Sequence, residues 1–185
     1  MAASEMALGD EAASVTGMPD PSIATSLPAA IADPGGMRAA LAQRGILFGI
    51  NYIGEVLSNR SGGIERGTIY DGRFELYVDA DLERSLGLKG LAFHAHGYQI
   101  HGEGITVTKV GNLNALSGIE GSPSTRLLEL WLEQKLFNDK VSVRVGQMAV
   151  DTEFMLADGA GQFISASFGW PTITAANLPN GGSAY

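Results

Sequence analysis

The chain has 185 residues, a formal net charge of −8 and no cysteine. The acidic balance argues against a nucleic-acid-binding protein, because neutralising phosphates requires a basic face. The lack of cysteine excludes a disulfide scaffold, a zinc–thiolate centre and a cysteine nucleophile. No apolar run is long enough for a membrane-spanning helix, but the alternating strands of a membrane β-barrel would not produce such a run.

The N-terminal part predicts a flexible leader followed by one short helix. Residues 1–32 are rich in Ala, Ser, Pro and Thr, and they lack the basic and apolar regions of a signal peptide. In 33–45, Asp33 can accept hydrogen bonds from the first helical turn and Pro34 suits the first helical position. Gly45 can take the left-handed conformation that ends a helix. We therefore expect a helix over 33–45, and it must dock on the rest of the chain because it is too short to be stable alone.

After this helix, apolar residues fall on every second position, which predicts strands. The alternating segments are 46–57, 70–83, 91–101, 128–136 and 141–146. Residues of shared parity are expected to form one continuous apolar face on an antiparallel sheet. This face is predicted to contain Ile46, Phe48, Ile50, Phe74, Leu76, Val78, Leu128, Leu130, Leu132, Val141, Val143 and Val145.

The predicted connections alternate in length. They are long after the first, third and fifth strands and short after the second and fourth, with a tight turn at Asn138-Asp139-Lys140. Long strands with this asymmetry are typical of a transmembrane barrel, in which the apolar face meets lipid and the polar face a water-filled lumen. A soluble antiparallel sheet also alternates, with its apolar face on a core. The pattern alone leaves both interpretations open.

The local strings resemble a known family, the carbohydrate-selective porins of the bacterial outer membrane (OprB type). The similar stretches include FHAHGYQIHGEG at 93–104 and FGWPTITAANLPNGGSAY at 168–185, and others lie at 35–72, 110–134 and 141–155. They follow one another through nearly all of the chain after its leader. The resemblance implies an all-β, antiparallel up-and-down meander. It would be part of a sixteen-stranded outer-membrane β-barrel that is preceded by one short N-terminal helix and lets sugars diffuse passively.

By the same resemblance, 33–45 is a short periplasmic helix and 46–185 is the N-terminal part of the barrel. That part holds about five strands and a third loop, from 149 to roughly 179, that folds into the pore. Such a barrel needs a longer chain, so we expect a truncated portion that is inactive alone. The implied partners are monosaccharides or related small sugars and outer-membrane lipid, with no cofactor and no nucleic acid. The residues carry no signal for oligomeric state.

In a porin the candidate site is a wall of fixed charges and aromatic rings. Carboxylates and guanidinium groups exchange hydrogen bonds with sugar hydroxyls, and aromatic faces such as that of Trp131 can stack on a pyranose ring. The predicted pore-facing set is Glu55, Asp71, Arg73, Glu75, Asp79, Asp81, Glu83, Glu129, Trp131, Glu133, Lys135 and Arg144. Asp151 and Glu153 are the strongest candidates because they open the inward loop. Each of these charges could instead merely solvate the lumen and pair with cross-strand neighbours.

Two other functions stay open: a soluble sugar-binding or ligand-binding β-domain, and a fragment without activity of its own. An enzyme is disfavoured, because a glycosidase needs two carboxyl groups across the scissile bond and no pair stands out. His94 and His96 share a strand face and could bind a metal ion. The third histidine, His101, has the opposite parity, so no metal site is predicted.

Overall fold

The computed structural model describes residues 27–112, 115–149 and 163–164. Their main feature is a five-stranded antiparallel sheet in which the strands follow chain order. The strands are β1 (Ile46–Asn59), β2 (Gly67–Asp81), β3 (Leu91–Gly102), β4 (Ser124–Leu136) and β5 (Val141–Gln147). The predicted all-β, up-and-down meander is confirmed.

The helices among the described residues are short. They are α1 (Ala29–Ala32), α2 (Met37–Gln43) and α3 (Leu82–Leu86), with a 3₁₀ turn at Pro34–Gly36 and a π-helical turn at Thr106–Val110. In the described part of the chain, no helix has the length and apolar character needed to cross a membrane.

The helix predicted over 33–45 is regular only in α2. It begins late because Gly35 and Gly36 take positive φ angles of 74° and 70°, which interrupt the helical backbone. Asp33 still caps this helix from outside: its Oδ1 accepts from Arg38 N at 2.7 Å and its Oδ2 from Ala39 N at 3.1 Å. The capping role read from the sequence is therefore correct, although the helix is shorter than expected.

Arg38 docks α2 on the first strand. Its Nη1 donates to the carbonyl oxygen of Phe48 at 2.7 Å, and its guanidinium lies 4.1 Å from the centroid of the Phe48 ring. Just after the helix, the carbonyl oxygen of Gly45 accepts from Asp81 N at 2.8 Å. The helix is thereby fixed at the sheet rim where β1 begins and β2 ends.

The register confirms the predicted apolar face at every position except Leu128. Cross-strand partners such as Ile50 and Leu76 point to the same side of an antiparallel sheet. The register shifts between His96 and Gly97 on β3, so Leu128 has no partner there and the pairing does not test its predicted place. A β-bulge there changes the parity of β4, and Leu127 pairs with Gly97 in its stead.

The order of two predicted loop lengths was also wrong. The connection 60–66 after β1 is shorter than the connection 82–90 after β2, which contains α3. The cause is Asp81, whose side chain accepts from the amides of Glu83 and Arg84 at 3.0 Å each and so begins a helix. The long connection 103–123 and the tight turn 137–140 agree with the prediction.

The apolar face is the exposed one. Leu76 and Leu132 on that face each keep 45% of their surface accessible, whereas Arg73 and Glu129 on the opposite face keep 4% and 7%. The opposite face is covered in part by the connection 103–123, where the buried side chains of Ile105 and Ile119 lie. The sheet therefore has the reverse polarity of a soluble sheet, which covers its apolar side.

Candidate functional site

The candidate site is the polar face, defined as the side of the sheet that carries the predicted charged residues. Cross-strand pairing forms two adjacent rows on this face. Asp79, His94 and Trp131 lie in line across β2, β3 and β4. Tyr77, His96 and Glu129 form the next row. Beyond them, Glu133 pairs with Arg144 of β5, so the register assembles most of the predicted site residues into one belt.

Arg73 and Asp71 hold the connection 103–123 against this face. Arg73 Nη2 lies 2.9 Å from Glu75 Oε1, and Arg73 Nη1 donates to the carbonyl oxygen of Gly118 at 3.3 Å. Asp71 Oδ1 accepts from Gly104 N at 2.9 Å. Both side chains are buried under the connection 103–123, which we call the inner loop. They therefore anchor this loop instead of presenting free charges to water.

The same loop contacts both the first strand and the chain that follows β5. Ser117 Oγ donates to Glu55 Oε2 at 2.5 Å, and Gly118 N donates to the carbonyl oxygen of Ile164 at 2.8 Å. The chain after β5 therefore returns to the loop that covers the polar face. Asp151 and Glu153, and most of the predicted inward loop, lie outside the described residues.

Trp131 is held between two neighbouring side chains. Its ring stacks on His94 with a centroid separation of 4.8 Å and an interplanar angle of 17°, and the guanidinium of Arg144 lies 4.1 Å from its centroid. Since β3 and β5 flank β4 on opposite sides, these groups approach the ring from opposite sides. Trp131 thus does not present the uncovered ring face expected for stacking on a sugar.

Arg144 also makes an ion pair with Glu133, whose side chain is fixed by a second contact. Arg144 Nη2 lies 3.3 Å from Glu133 Oε2, and Ser142 Oγ donates to Glu133 Oε1 at 2.5 Å. These side chains keep more exposure than Arg73, with 27% for Arg144 and 14% for Glu133. Arg144 in particular keeps more of its side chain accessible than Arg73, Glu75 or Asp79 on the same face.

The remaining predicted pore-facing residues divide by position. Lys135 lies on the polar face opposite Ser142, close to the 137–140 turn. Asp81 caps α3, and Glu83 lies exposed on that helix, where its Oε2 accepts from Gly90 N at 2.8 Å. The prediction that Glu83 faces the pore was wrong, because the strand ends two residues earlier.

Two histidines and a glutamate form a cluster that sequence reasoning missed. His94 Nδ1 lies 2.6 Å from Asp79 Oδ1, and His94 Nε2 lies 3.4 Å from Glu129 Oε2. Ligand atoms of His94, His96 and Glu129 all lie within 4.8 Å of one another. The sequence has one further histidine, His101, and its parity places it on the opposite face. Alternation places Glu129 on the polar face, but only the pairing of β3 with β4 shows that it lies opposite His96.

Comparisons with known proteins agree on one family. The family described as "Carbohydrate-selective porin, OprB family" matches residues 65–185. A curated relative, Porin B of Pseudomonas aeruginosa, is 30% identical over 132 residues, which cover 67% of this chain and 29% of that protein.

Two solved structures of Pseudomonas putida OprB are also similar. The high-pH structure has a TM-score of 0.66 and 25% identity, with 74% of this chain and 34% of that chain covered. The low-pH structure has a TM-score of 0.51 and 24% identity, with 66% of this chain and 39% of that chain covered. It supports the fold alone. The chain spans about a third of the length of the relatives that it matches.

Proposed function

This chain belongs to the carbohydrate-selective porin family of the OprB type, and from that premise we propose that its strands form part of a β-barrel wall in the bacterial outer membrane. Small sugars diffuse passively through that barrel. The activity needs no covalent step and no catalytic residue, because the wall only exchanges hydrogen bonds with a passing solute. The proposal concerns a whole barrel, of which this chain supplies one portion.

The observation that carries the proposal is the reversed polarity of the sheet. Leucine and valine side chains cover the exposed face, and charged side chains lie on the protected one. In water, an apolar surface of this kind favours association or aggregation. In a bilayer, it is the expected outer surface of a barrel whose polar residues face the lumen. This arrangement favours the porin over a soluble sugar-binding domain.

The polar face has the properties of a weakly binding wall. Glu133 and Arg144 are fixed by each other and by Ser142, so a sugar hydroxyl meets oriented donors and acceptors. A solute that sheds water at the wall regains hydrogen bonds there. Rapid passage requires these contacts to be weak and repeated, since tight binding at one point would slow release.

We place the narrow part of the pathway where the inner loop lies. The bond between Gly118 and Ile164 supports this position, because it joins the chain after β5 to the loop over the polar face. Asp151 and Glu153 belong to the same stretch that follows β5. In this proposal their carboxylates face the narrow part and favour cations there.

A chimeric porin tests the proposal. The part of this chain that aligns with Porin B would replace the matching region of that protein, and the purified chimera would be reconstituted into liposomes. We expect glucose-driven swelling well above that of empty liposomes. The unmodified 185-residue chain is the control and should give none, because its described five-stranded sheet leaves β1 and β5 as edges and encloses no pore.

Folding of the chimera is checked separately by its heat-modifiable mobility in detergent gels. A folded, membrane-inserted chimera that admits no glucose would contradict the proposal. Swelling by the 185-residue chain alone would contradict the claim that its five-stranded sheet encloses no pore.

A further inference from the structure

We propose that His94, His96 and Glu129 form a binding site for a divalent transition-metal ion of the Zn²⁺ class. The site lies on the polar face, and it neither follows from sugar diffusion nor depends on it. Each side chain offers one ligand atom, a ring nitrogen of each histidine and a carboxylate oxygen of Glu129, and these three atoms lie within 4.8 Å of one another. In the described ranges, no second group of three His, Cys, Asp or Glu side chains meets this criterion.

The sheet itself brings the three side chains together. His94 and His96 are two positions apart on β3, so both point to the polar face. Glu129 lies directly opposite His96 on β4. The pairing is regular from Leu91 opposite Gln134 to His96 opposite Glu129, so the alternation of the two strands places Glu129 on the same face as the two imidazoles.

Asp79 prepares His94 as a ligand. Its carboxylate lies 2.6 Å from His94 Nδ1 and holds the proton on that nitrogen, which leaves the Nε2 lone pair for a metal ion. The Trp131 ring stacked on His94 fixes the plane of the imidazole. The Nε2 atoms of both His94 and His96 are buried, and neither has a hydrogen-bond partner in the described part of the chain.

The distances suit a tetrahedral ion after a small adjustment. Metal–ligand bonds of about 2.0–2.1 Å put neighbouring tetrahedral ligand atoms about 3.3 Å apart. His94 Nε2 and Glu129 Oε2 are already 3.4 Å apart. Because all three ligand atoms lie within 4.8 Å of one another, the ligand nitrogen of His96 needs to move by only about 1.5 Å.

Charge and ligand type point to the class of ion. Two imidazoles and one carboxylate suit Zn²⁺ and its first-row neighbours better than Mg²⁺ or Ca²⁺, which prefer oxygen ligands alone. The carboxylates of Asp79, Glu129 and Glu75 surround the cluster, with Glu75 Oε1 4.0 Å from His96 Nε2. Three protein ligands leave a fourth tetrahedral position for a water molecule.

A protonated His94 between Asp79 and Glu129 is the rival explanation, since an imidazolium would satisfy both carboxylates without a metal ion. The two explanations differ in a titration of the 185-residue chain in detergent micelles with Zn²⁺, followed by calorimetry, and with Co²⁺, followed by visible absorption. We expect one equivalent to bind and Co²⁺ to show the intense bands of a tetrahedral site.

Matched variants locate the ion. His94→Gln and His96→Gln should abolish stoichiometric binding, and Asp79→Asn should weaken it about 10–100-fold. His101→Gln removes a histidine from the same strand but from the opposite face, so it should bind as the unmodified chain does. Retained binding in His96→Gln, or loss in His101→Gln, would overturn the assignment.

A measurement on the unmodified chain avoids any folding defect of the variants. Zn²⁺ should protect His94 and His96, but not His101, from diethyl pyrocarbonate, as read by peptide mass spectrometry. The absence of a stoichiometric Zn²⁺ equivalent, or equal modification of all three histidines with and without Zn²⁺, would favour the protonated ion pair and refute the metal site. These readouts involve no sugar, so their outcome is separate from that of the swelling assay.

Discussion

Arg73 on β2 donates from Nη1 to the carbonyl oxygen of Gly118, 3.3 Å away in the 103–123 connection. The same guanidinium lies 2.9 Å from Glu75, and only 4% of the surface of Arg73 is exposed. Arg73 thereby links Glu75, on the polar face of the sheet, to the loop that covers this face. The loop is attached through a buried ion pair, which makes its position sensitive to a single side chain.

Replacing Arg73 by Gln should lower the free energy of unfolding by about 3–5 kcal/mol, because Glu75 would stay buried without its cation. Urea unfolding of the 185-residue chain in detergent micelles, followed by tryptophan fluorescence, measures this. Lys109→Gln is the matched control. It breaks an ion pair with Glu65, whose side chain is largely exposed, and should cost about 0–1 kcal/mol. Equal effects of the two variants would show that Arg73 does not anchor the loop.

Leu130→Arg should destabilise the sheet by about 2–4 kcal/mol in lipid vesicles, since it places a charge near the middle of β4 on the face that we propose contacts lipid. Val141→Arg has nearly the same exposure, 45% against 42%, but lies beside the 137–140 turn. At that rim the cost should fall to about 0–1 kcal/mol. Unfolding in vesicles of defined thickness compares the two. A neutral Leu130→Arg would argue against a membrane setting.

Gly49 lies beneath the ring of Tyr77, its cross-strand partner on the polar face. A methyl group at Gly49 would overlap that ring, so Gly49→Ala should cost about 1–3 kcal/mol. Gly118→Ala, whose added carbon would lie 3.6 Å from its nearest neighbour, is the control. Adding Tyr77→Ala to Gly49→Ala should recover much of the loss. Additive effects in this double-mutant cycle would disprove the contact.

Asp151 and Glu153 are proposed to line the narrow part of the pathway. In the chimeric barrel, replacing both by Ala should alter sugar flux and shift the ion preference away from cations, because two fixed negative charges are removed from a confined region. Single-channel recordings with a salt gradient measure the preference. Glu83→Ala, which removes an exposed charge on α3, is the control. Unchanged conductance and selectivity in the double variant would exclude the proposed role.

The faces of the sheet could be predicted from the sequence because alternation is a local property. Ile50, Leu76 and Leu132 fell on the expected side without knowledge of any tertiary contact. Leu128, which the bulge leaves unpaired, and Glu83, which lies on α3, show where local alternation stops determining the structure. A bulge depends on how two strands pair, which one strand's sequence does not show. At Asp81 the alternation continues in the sequence, but the Asp81 side chain caps a helix and ends the strand.

The site was harder to predict than the fold because its contacts cross strands. Alternation predicts Arg73 and Glu75 as pore-facing charges, but only the folded loop reveals that Arg73 is covered. Trp131 was expected to offer a stacking face, which His94 and Arg144 take from the neighbouring strands. The types of polar side chain on this face could be predicted from the sequence. Which of these side chains stay accessible depends on how the strands pair.

The reversed polarity of the sheet is tested most directly by spin labels along β4. The chain has no cysteine, so a single cysteine at each position from 128 to 135 can carry a nitroxide without a background. In lipid vesicles, labels at Leu130 and Leu132 should collide mainly with oxygen, which concentrates in the bilayer. Labels at Trp131 and Glu133 should collide mainly with a water-soluble nickel chelate, giving a period of two. The opposite phase, with Leu130 and Leu132 shielded from both reagents, would contradict the account and indicate a soluble sheet with a covered apolar face.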